Sequence, residues 1–344
     1  MAELFVTNFN PNFTGVSATA ATVLRAQMSR YDLQLVGRPL PGCPDPITRR
    51  EAFALCRQAP ADRPFAIWHV RRNPEMRAAI WARDVLRLPV RIVFTSAAQR
   101  RHSAYPRWLI SRMDAVIATT PQAADYVPHV RATVGHGVDT ERFFPSPDRR
   151  AAWEALGFGG GLGIASIGRI RPEKGTDIFV NAMLRLLPRL PQARALVIGR
   201  AGGKHEAFLA ALREQVKTAG LADRLLFIGE LPADRLPQMM RALSLVCQLP
   251  RYEGFGMVPL EAMASGTPFI GSDTGAYRSF ASGAHGAITR IGDASGAADA
   301  AQAMLTQPDF DARAVAARQA AVDRFSAKHE ADGIDRVYQQ LWGS

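Results

Sequence analysis

The run Arg251–Gly275, RYEGFGMVPLEAMASGTPFIGSDTG, carries two carboxylates, Glu253 and Glu261, eight positions apart with Gly254-Phe255-Gly256 between them. Gly254 and Gly256 allow the backbone to take positive φ or to come close to a ligand. Pro259 suits the first turn of a helix, where its missing N–H costs nothing. Leu260 to Ala264 continue that helix, Ser265-Gly266-Thr267-Pro268 ends it, and Phe269-Ile270-Gly271 opens a strand. Glu253 is therefore expected on a loop and Glu261 in the first helical turn, beside the N–H groups of Phe255, Gly256, Met257 and Val258. Unpartnered N–H groups and the helix dipole draw phosphate to such a terminus. Taken singly, each glutamate reads as a carboxylate stabilising its own helix by about 0.3–1 kcal/mol.

A second element complements the first. The strand Ile164-Ala165-Ser166-Ile167 runs into Gly168-Arg169-Ile170-Arg171-Pro172-Glu173-Lys174-Gly175, and a helix is expected from Thr176 to Leu186. Arg169 and Lys174 at a strand-to-helix turn suit a diphosphate, because Arg bridges two oxygens and Lys acts as a point charge. The glycines Gly159 to Gly163 precede their strand rather than follow it, so they are no dinucleotide fingerprint.

Together, the Glu-x7-Glu pair, the GR-x-x-PEKG turn and ASGTP…SDTG resemble the retaining nucleotide-sugar glycosyltransferases of group 1. Val134-Gly135-His136-Gly137-Val138-Asp139 resembles their NGVD segment, with His136 at the usual asparagine. The resemblance is dense from Val134 to Gly275 and thin before it. It implies a GT-B fold of class α/β: two Rossmann-like domains with parallel sheets facing across a cleft, and a last helix crossing back to the first domain. It puts Arg169 and Lys174 on the donor diphosphate, with Gly168 at their turn. Glu261 falls on the ribose hydroxyls, and Glu253 beside the transferred sugar. The turn at Ile228, Gly229 and Glu230 reads the base. Gly15 stands at the loop-to-helix junction where the family brings a glycine pair to the donor.

Length supports two domains, since 344 residues would overgrow one core. The boundaries are expected at 1–146 for an acceptor-side domain, 147–325 for a nucleotide-sugar domain and 326–344 for the terminal helix. Pro145-Ser146-Pro147 and Asp148-Arg149-Arg150 read as the linker. In the first half, strands are expected at Leu4–Val6, Leu33–Val36, Phe65–Trp68, Leu88–Thr95 and Ala115–Ala118, with helices between them. His69 ends the third of these, where ligands of parallel sheets bind, and is a candidate for the sugar or acceptor side.

Charge is unevenly spread. The net charge is +11, and residues 1–150 hold 21 arginines and 12 acidic residues, leaving a net +9 in that half. Ten of those arginines lie between Arg71 and Arg112 with Trp81, Tyr105 and Trp108. Arginine among tryptophan and tyrosine suits anionic headgroups; single-stranded nucleic acid would use the same composition. The donor site in the second half favours an anionic membrane surface or a lipid-linked acceptor, and no nucleic acid.

No apolar run reaches the length of a membrane span, and the N-terminus does not read as a signal peptide. Cys43, Cys56 and Cys247 are unpatterned, so a cytoplasmic protein without a metal site or resident cofactor is expected. Asp309-Phe310-Asp311 reads as a helix cap rather than a metal motif. Compactness, the Phe13-Thr14-Gly15 start and the basic first half look most like bacterial lipopolysaccharide core mannosyltransferases. That implies GDP-mannose as donor and a lipid-linked core acceptor, with UDP-glucose, UDP-galactose and UDP-N-acetylglucosamine as open alternatives. A UDP-sugar 2-epimerase of the same fold and a basic nucleic-acid-binding protein are the competing classes.

Overall fold

In the computed structural model, which describes residues 2–343, the chain forms two compact units. One runs up to Gly137 and resumes at Phe325; the other is Val138–Arg324. The first change of unit lies ahead of the proline-rich stretch because the segment after Gly137 is captured by the second unit. Arg318 Nη1 donates to the carbonyls of Thr140, Phe143 and Ala264 at 3.0, 2.8 and 2.8 Å, and Arg241 lies over the Phe144 ring. Asp148-Arg149-Arg150 is likewise no linker. Asp148 caps a helix, Arg149–Glu154, by accepting from Ala151 N at 2.9 Å.

The first unit holds a six-stranded parallel sheet in the order β2-β1-β3-β4-β5-β6. Its strands are β1 Leu4–Asn8, β2 Leu33–Gly37, β3 Ala66–Val70, β4 Val90–Ser96, β5 Ala115–Ala118 and β6 Val130–Thr133. The central strands are buried on both faces, as a helix-covered parallel sheet requires. On one face Leu4, Val6, Ile67, Val93 and Ile117 pack with Leu24 of the helix Gly15–Gln27. Ile334, Val337, Tyr338 and Leu341 of the final helix, Ala327–Trp342, complete that layer. Their helical spacing makes the apolar stripe that brings the tail onto this sheet. Gln27 Nε2 donates to Asp335 at 2.7 Å and Trp342 Nε1 to the Phe65 carbonyl at 3.0 Å, fixing the middle and the C-terminal end of that helix.

The second unit repeats the plan in the order β12-β11-β10-β7-β8-β9. Here β7 is Leu162–Ile167, β8 Ala193–Ile198, β9 Leu225–Gly229, β10 Leu245–Gln248, β11 Phe269–Ser272 and β12 Gly286–Thr289. Strand order reverses between β1 and β3 in one sheet and between β7 and β10 in the other. In open parallel sheets such reversals open a crevice at the carboxyl ends, where ligands sit. The edge strands β6 and β12 carry a weak apolar signal, since exposure at a sheet edge relaxes it. Among the described residues no helix is long and apolar enough to cross a membrane.

Candidate active site

The second unit's reversal point gathers the residues singled out above. After β7 the chain makes a 3₁₀ turn, Pro172–Lys174, then Gly175 at φ 66° caps the helix Thr176–Leu186. A Cβ on Gly175 would lie 1.8 Å from the Leu249 carbonyl oxygen, so only glycine lets this turn press against the chain leaving β10. The contact is reinforced from the other side. Arg251 N donates to the Glu173 carbonyl at 2.9 Å. Its guanidinium grips both carboxylate oxygens of Asp177 at 2.8 and 2.6 Å and the Pro172 carbonyl at 2.6 Å. Such a bidentate clamp fixes orientation as well as distance.

The clamp brings two charges together: Lys174 Nζ donates to Glu253 Oε2 at 2.6 Å, and Gly254 N donates to Glu253 Oε1 at 2.9 Å. Both side chains keep part of their surface open to solvent. Arg169 is exposed on the same connection, immediately after Gly168 at the end of β7. Next comes the helix Met257–Ala264, entered through Gly256 at φ 97°. A Cβ there would meet Tyr277 Cε1 at 2.0 Å, so the buried tyrosine is packed directly against the turn. The helix begins at Met257, two residues before Pro259, and Glu261 lies beyond its first turn. The first turn holds no acidic side chain, so the positive end of the helix dipole is carried by N–H groups without an intrahelical partner, those of Met257 and Val258 among them.

Glu261 is half-buried, and desolvation raises its carboxyl to about 7, opposed by the positive charge of Arg142. Arg142 itself donates to the Ala233 carbonyl, in the loop that follows β9. Ile228 is half-buried at the end of β9, and Gly229 and Glu230 are exposed. Glu230 lies 3.5 Å from the Arg200 guanidinium.

In the first unit His69 does not end its strand. The strand runs on to Val70, so His69 lies inside it and is completely buried. Its Nε2 is 2.6 Å from Thr95 Oγ1 and its Nδ1 is bonded to the Tyr338 hydroxyl. Burial and the nearby Arg71 charge push its pKa well down. Both ring nitrogens are used internally, and His69 fastens the final helix to the sheet. Gly15 is exposed at the start of its helix with nothing within 4 Å of a Cβ position, so no steric need for glycine exists there. Asp309 accepts from Arg313 Nε at 3.0 Å. The pairing of Arg251 with Asp177 was missed, and so was Glu330. The Glu330 carboxylate is buried and accepts from Gly137 N at 2.7 Å, with His136 Nδ1 at 2.8 Å.

Residues 154–321 match the family model described as Glycosyl transferases group 1. The chain is 40% identical over 345 residues, 98% of its own length and 97% of the relative's, to the lipopolysaccharide core biosynthesis mannosyltransferase LpsB of Rhizobium meliloti (strain 1021). The chain belongs to the group 1 glycosyltransferases. This glycosyltransferase is also 38% identical over 349 residues to the lipopolysaccharide core biosynthesis mannosyltransferase LpcC of Rhizobium leguminosarum bv. viciae, across 99% of its chain and 97% of the relative. Its fold is shared by Anabaena Alr3699/HepE, solved in complex with UDP and glucose, at a TM-score of 0.82. That likeness spans 99% of this chain and 100% of the other at 17% identity.

Proposed function

We propose that this glycosyltransferase moves mannose from GDP-mannose, with retention of anomeric configuration, onto a lipid-linked acceptor of the lipopolysaccharide core. The observation that carries the chemistry is the 2.6 Å approach of Lys174 to Glu253 at the mouth of the β7–β10 crevice. A nucleotide diphosphate must leave, so transfer is accelerated by groups that stabilise the charge growing on it. Lys174, Arg169 and the N–H groups of Met257 and Val258 supply positive charge there. An arriving diphosphate exchanges the Lys174–Glu253 pair for a Lys174–phosphate contact and frees Glu253 to orient sugar hydroxyls. Glu261 accepts from the ribose hydroxyls, which favours its ionised form. With this cationic set on the leaving group, we infer that no metal and no resident cofactor is needed.

The names of the two full-length relatives support mannose and a core acceptor. Peripheral attachment to the inner face of the membrane is supported by Trp81, Tyr105 and Trp108, each exposed among arginines. The test is a screen of GDP- and UDP-sugars by thermal stabilisation, followed by transfer to a core glycolipid in EDTA and NMR of the product linkage. Stabilisation by GDP-mannose above all others and an α-linked mannose in EDTA are expected. Preference for a UDP-sugar, interconversion of free donor without acceptor, or strict metal dependence overturns the corresponding part.

A further inference from the structure

Two neighbouring arginines at the end of β3 have opposite fates. Arg72 is saturated: its guanidinium donates to Asn8 Oδ1 at 3.1 Å, Glu75 Oε1 at 3.2 Å, and Thr14 Oγ1 and Ser17 Oγ, each at 3.0 Å. Arg71 is not. Among the described residues its guanidinium has no hydrogen-bond or ion-pair partner, and its Nη1 is sealed from solvent. The carboxylates in its vicinity are already committed. Glu75 accepts from Arg72, Thr7 Oγ1 and the N–H groups of Phe9 and Arg71, and Glu330 is held by Gly137 and His136. A half-buried guanidinium that keeps a sealed nitrogen without a hydrogen-bonded anion is costly, and each such group in a folded protein calls for an explanation.

A second unmet group stands across the sheet. Thr119 follows β5, is 2% exposed, and among the described residues its Oγ1 has no partner. Side chains alternate along strands, and both residues continue the face of the final helix. His69, two before Arg71, touches Tyr338, and Ile117, two before Thr119, packs in the same layer as Ile334 and Tyr338. Only β4 separates them, so strand spacing sets them on the order of 10 Å apart. The intervening Thr95 hydroxyl is taken by His69. A half-buried cation with a sealed, unpartnered nitrogen and a buried hydroxyl, each just past the carboxyl end of its strand and in step with the same face of the sheet, match an oxyanion on a sugar-sized molecule.

We propose that Arg71 and Thr119 bind an anionic group, a carboxylate or a phosphate, of the acceptor sugar. This assignment rests on the transferase reading for the word acceptor, though not for the anion itself. Arg71 grips the oxyanion through its fork and Thr119 donates its hydroxyl.

The experiment measures binding of D-glucuronate, glucose 6-phosphate and neutral D-glucose to the full chain by calorimetry and thermal shift. Nucleotide-sugar binding is measured in parallel. Wild type should bind an anionic probe and not glucose; glucuronate alone identifies a carboxylate, glucose 6-phosphate alone a phosphate. Arg71→Met should weaken that binding roughly tenfold or more, while Lys174→Met leaves it unchanged. Thr119→Val, nearly the same shape, should weaken the probe and also raise the ligand-free melting temperature, because it removes an unmet buried hydroxyl. A purely structural threonine would do the reverse, so this variant decides the matter if Arg71→Met does not fold. Equal response to glucose, no binding of either anion, or undiminished binding in both variants overturns the proposal. If no nucleotide sugar binds while glucuronate still depends on Arg71, the transferase reading falls and the anion site stands.

Discussion

Lys174 Nζ lies 2.6 Å from Glu253 Oε2, so the cation of the strand-to-helix turn and the carboxylate of the glycine loop neutralise each other. The pair is partly solvated, and partly exposed ion pairs add only about 0–1 kcal/mol to stability. Its value lies in placing charge. Lys174→Met should lower kcat/KM roughly 10²- to 10³-fold, the usual cost of losing a charge-stabilising donor, while the melting temperature hardly moves. Steady-state kinetics beside a thermal melt check both halves; a large melting shift would instead make Lys174 structural.

The turn that presents Lys174 depends on Gly175. A side chain there meets a left-handed backbone at φ 66° and the Leu249 carbonyl at 1.8 Å. The left-handed conformation alone costs roughly 1–2 kcal/mol for a residue with a Cβ, and the clash forces the two loops apart. Gly175→Ala is expected to lose more stability than that in urea unfolding and most activity with it. Asp177→Asn, which weakens the Arg251 clamp without steric conflict, should lower activity with a smaller loss of stability.

Much of this was readable in the residues. The helix Thr176–Leu186 and the last helix begin and end where their patterns say, because a buried apolar stripe closes each of them. That Lys174 and Glu253 come together was legible, since each stands beside a glycine at a strand-to-helix turn. The Arg251–Asp177 clamp spans 74 positions, and no spacing rule reaches that far. His69 misled for a different reason. Apolar patterning ended its strand at Trp68, whereas pairing with β4 carries the strand to Val70 and takes the histidine inside. The anion candidate, Arg71, was hidden among ten arginines of identical sequence character. Only the accounting of hydrogen bonds separates it from Arg72.

Glu330 joins the final helix to the segment where the chain leaves the first unit. Glu330→Ala strips the acceptor from the buried Gly137 N–H and from His136. Each unmet donor costs about 1–3 kcal/mol, so a clear drop in urea midpoint is expected. Glu330→Gln keeps one acceptor oxygen and should lose less. Equal behaviour of the two variants would show that the carboxylate is not what holds this junction.

The basic segment is partly self-neutralised, which sharpens the membrane expectation. Arg83 and Arg91 pair with Asp114 at 2.6 and 3.1 Å, and Arg112 with Asp84 at 2.6 Å. Arg77, Arg87, Arg100, Arg101 and Arg107 stay exposed beside Trp81, Tyr105 and Trp108. Co-sedimentation with phosphatidylglycerol vesicles should therefore be strong at low salt and fall as salt screens the arginines. Trp81→Ser with Trp108→Ser should weaken it further, leaving donor binding untouched. Binding that ignores both salt and the tryptophans would place the membrane contact elsewhere.

Glu261 predicts a pH signature. Its carboxyl is raised to about 7 by desolvation, so the folded protein holds this proton more tightly than the unfolded chain does. The stability it contributes is present in acid and is lost as pH rises through about 7. Donor binding runs the other way, because accepting two ribose hydroxyls favours the carboxylate. Below about pH 7 a proton must leave for each donor bound, so affinity should gain up to about tenfold per pH unit and level off above that value. Glu261→Gln cannot ionise: its donor affinity should be weaker and flat across the same window, and the loss of ligand-free stability between pH 4.5 and about 7 should disappear. Calorimetry in two buffers of different ionisation heat reads the proton release directly. A pH-independent wild type, or a Gln variant that keeps the slope, would remove Glu261 from the ribose.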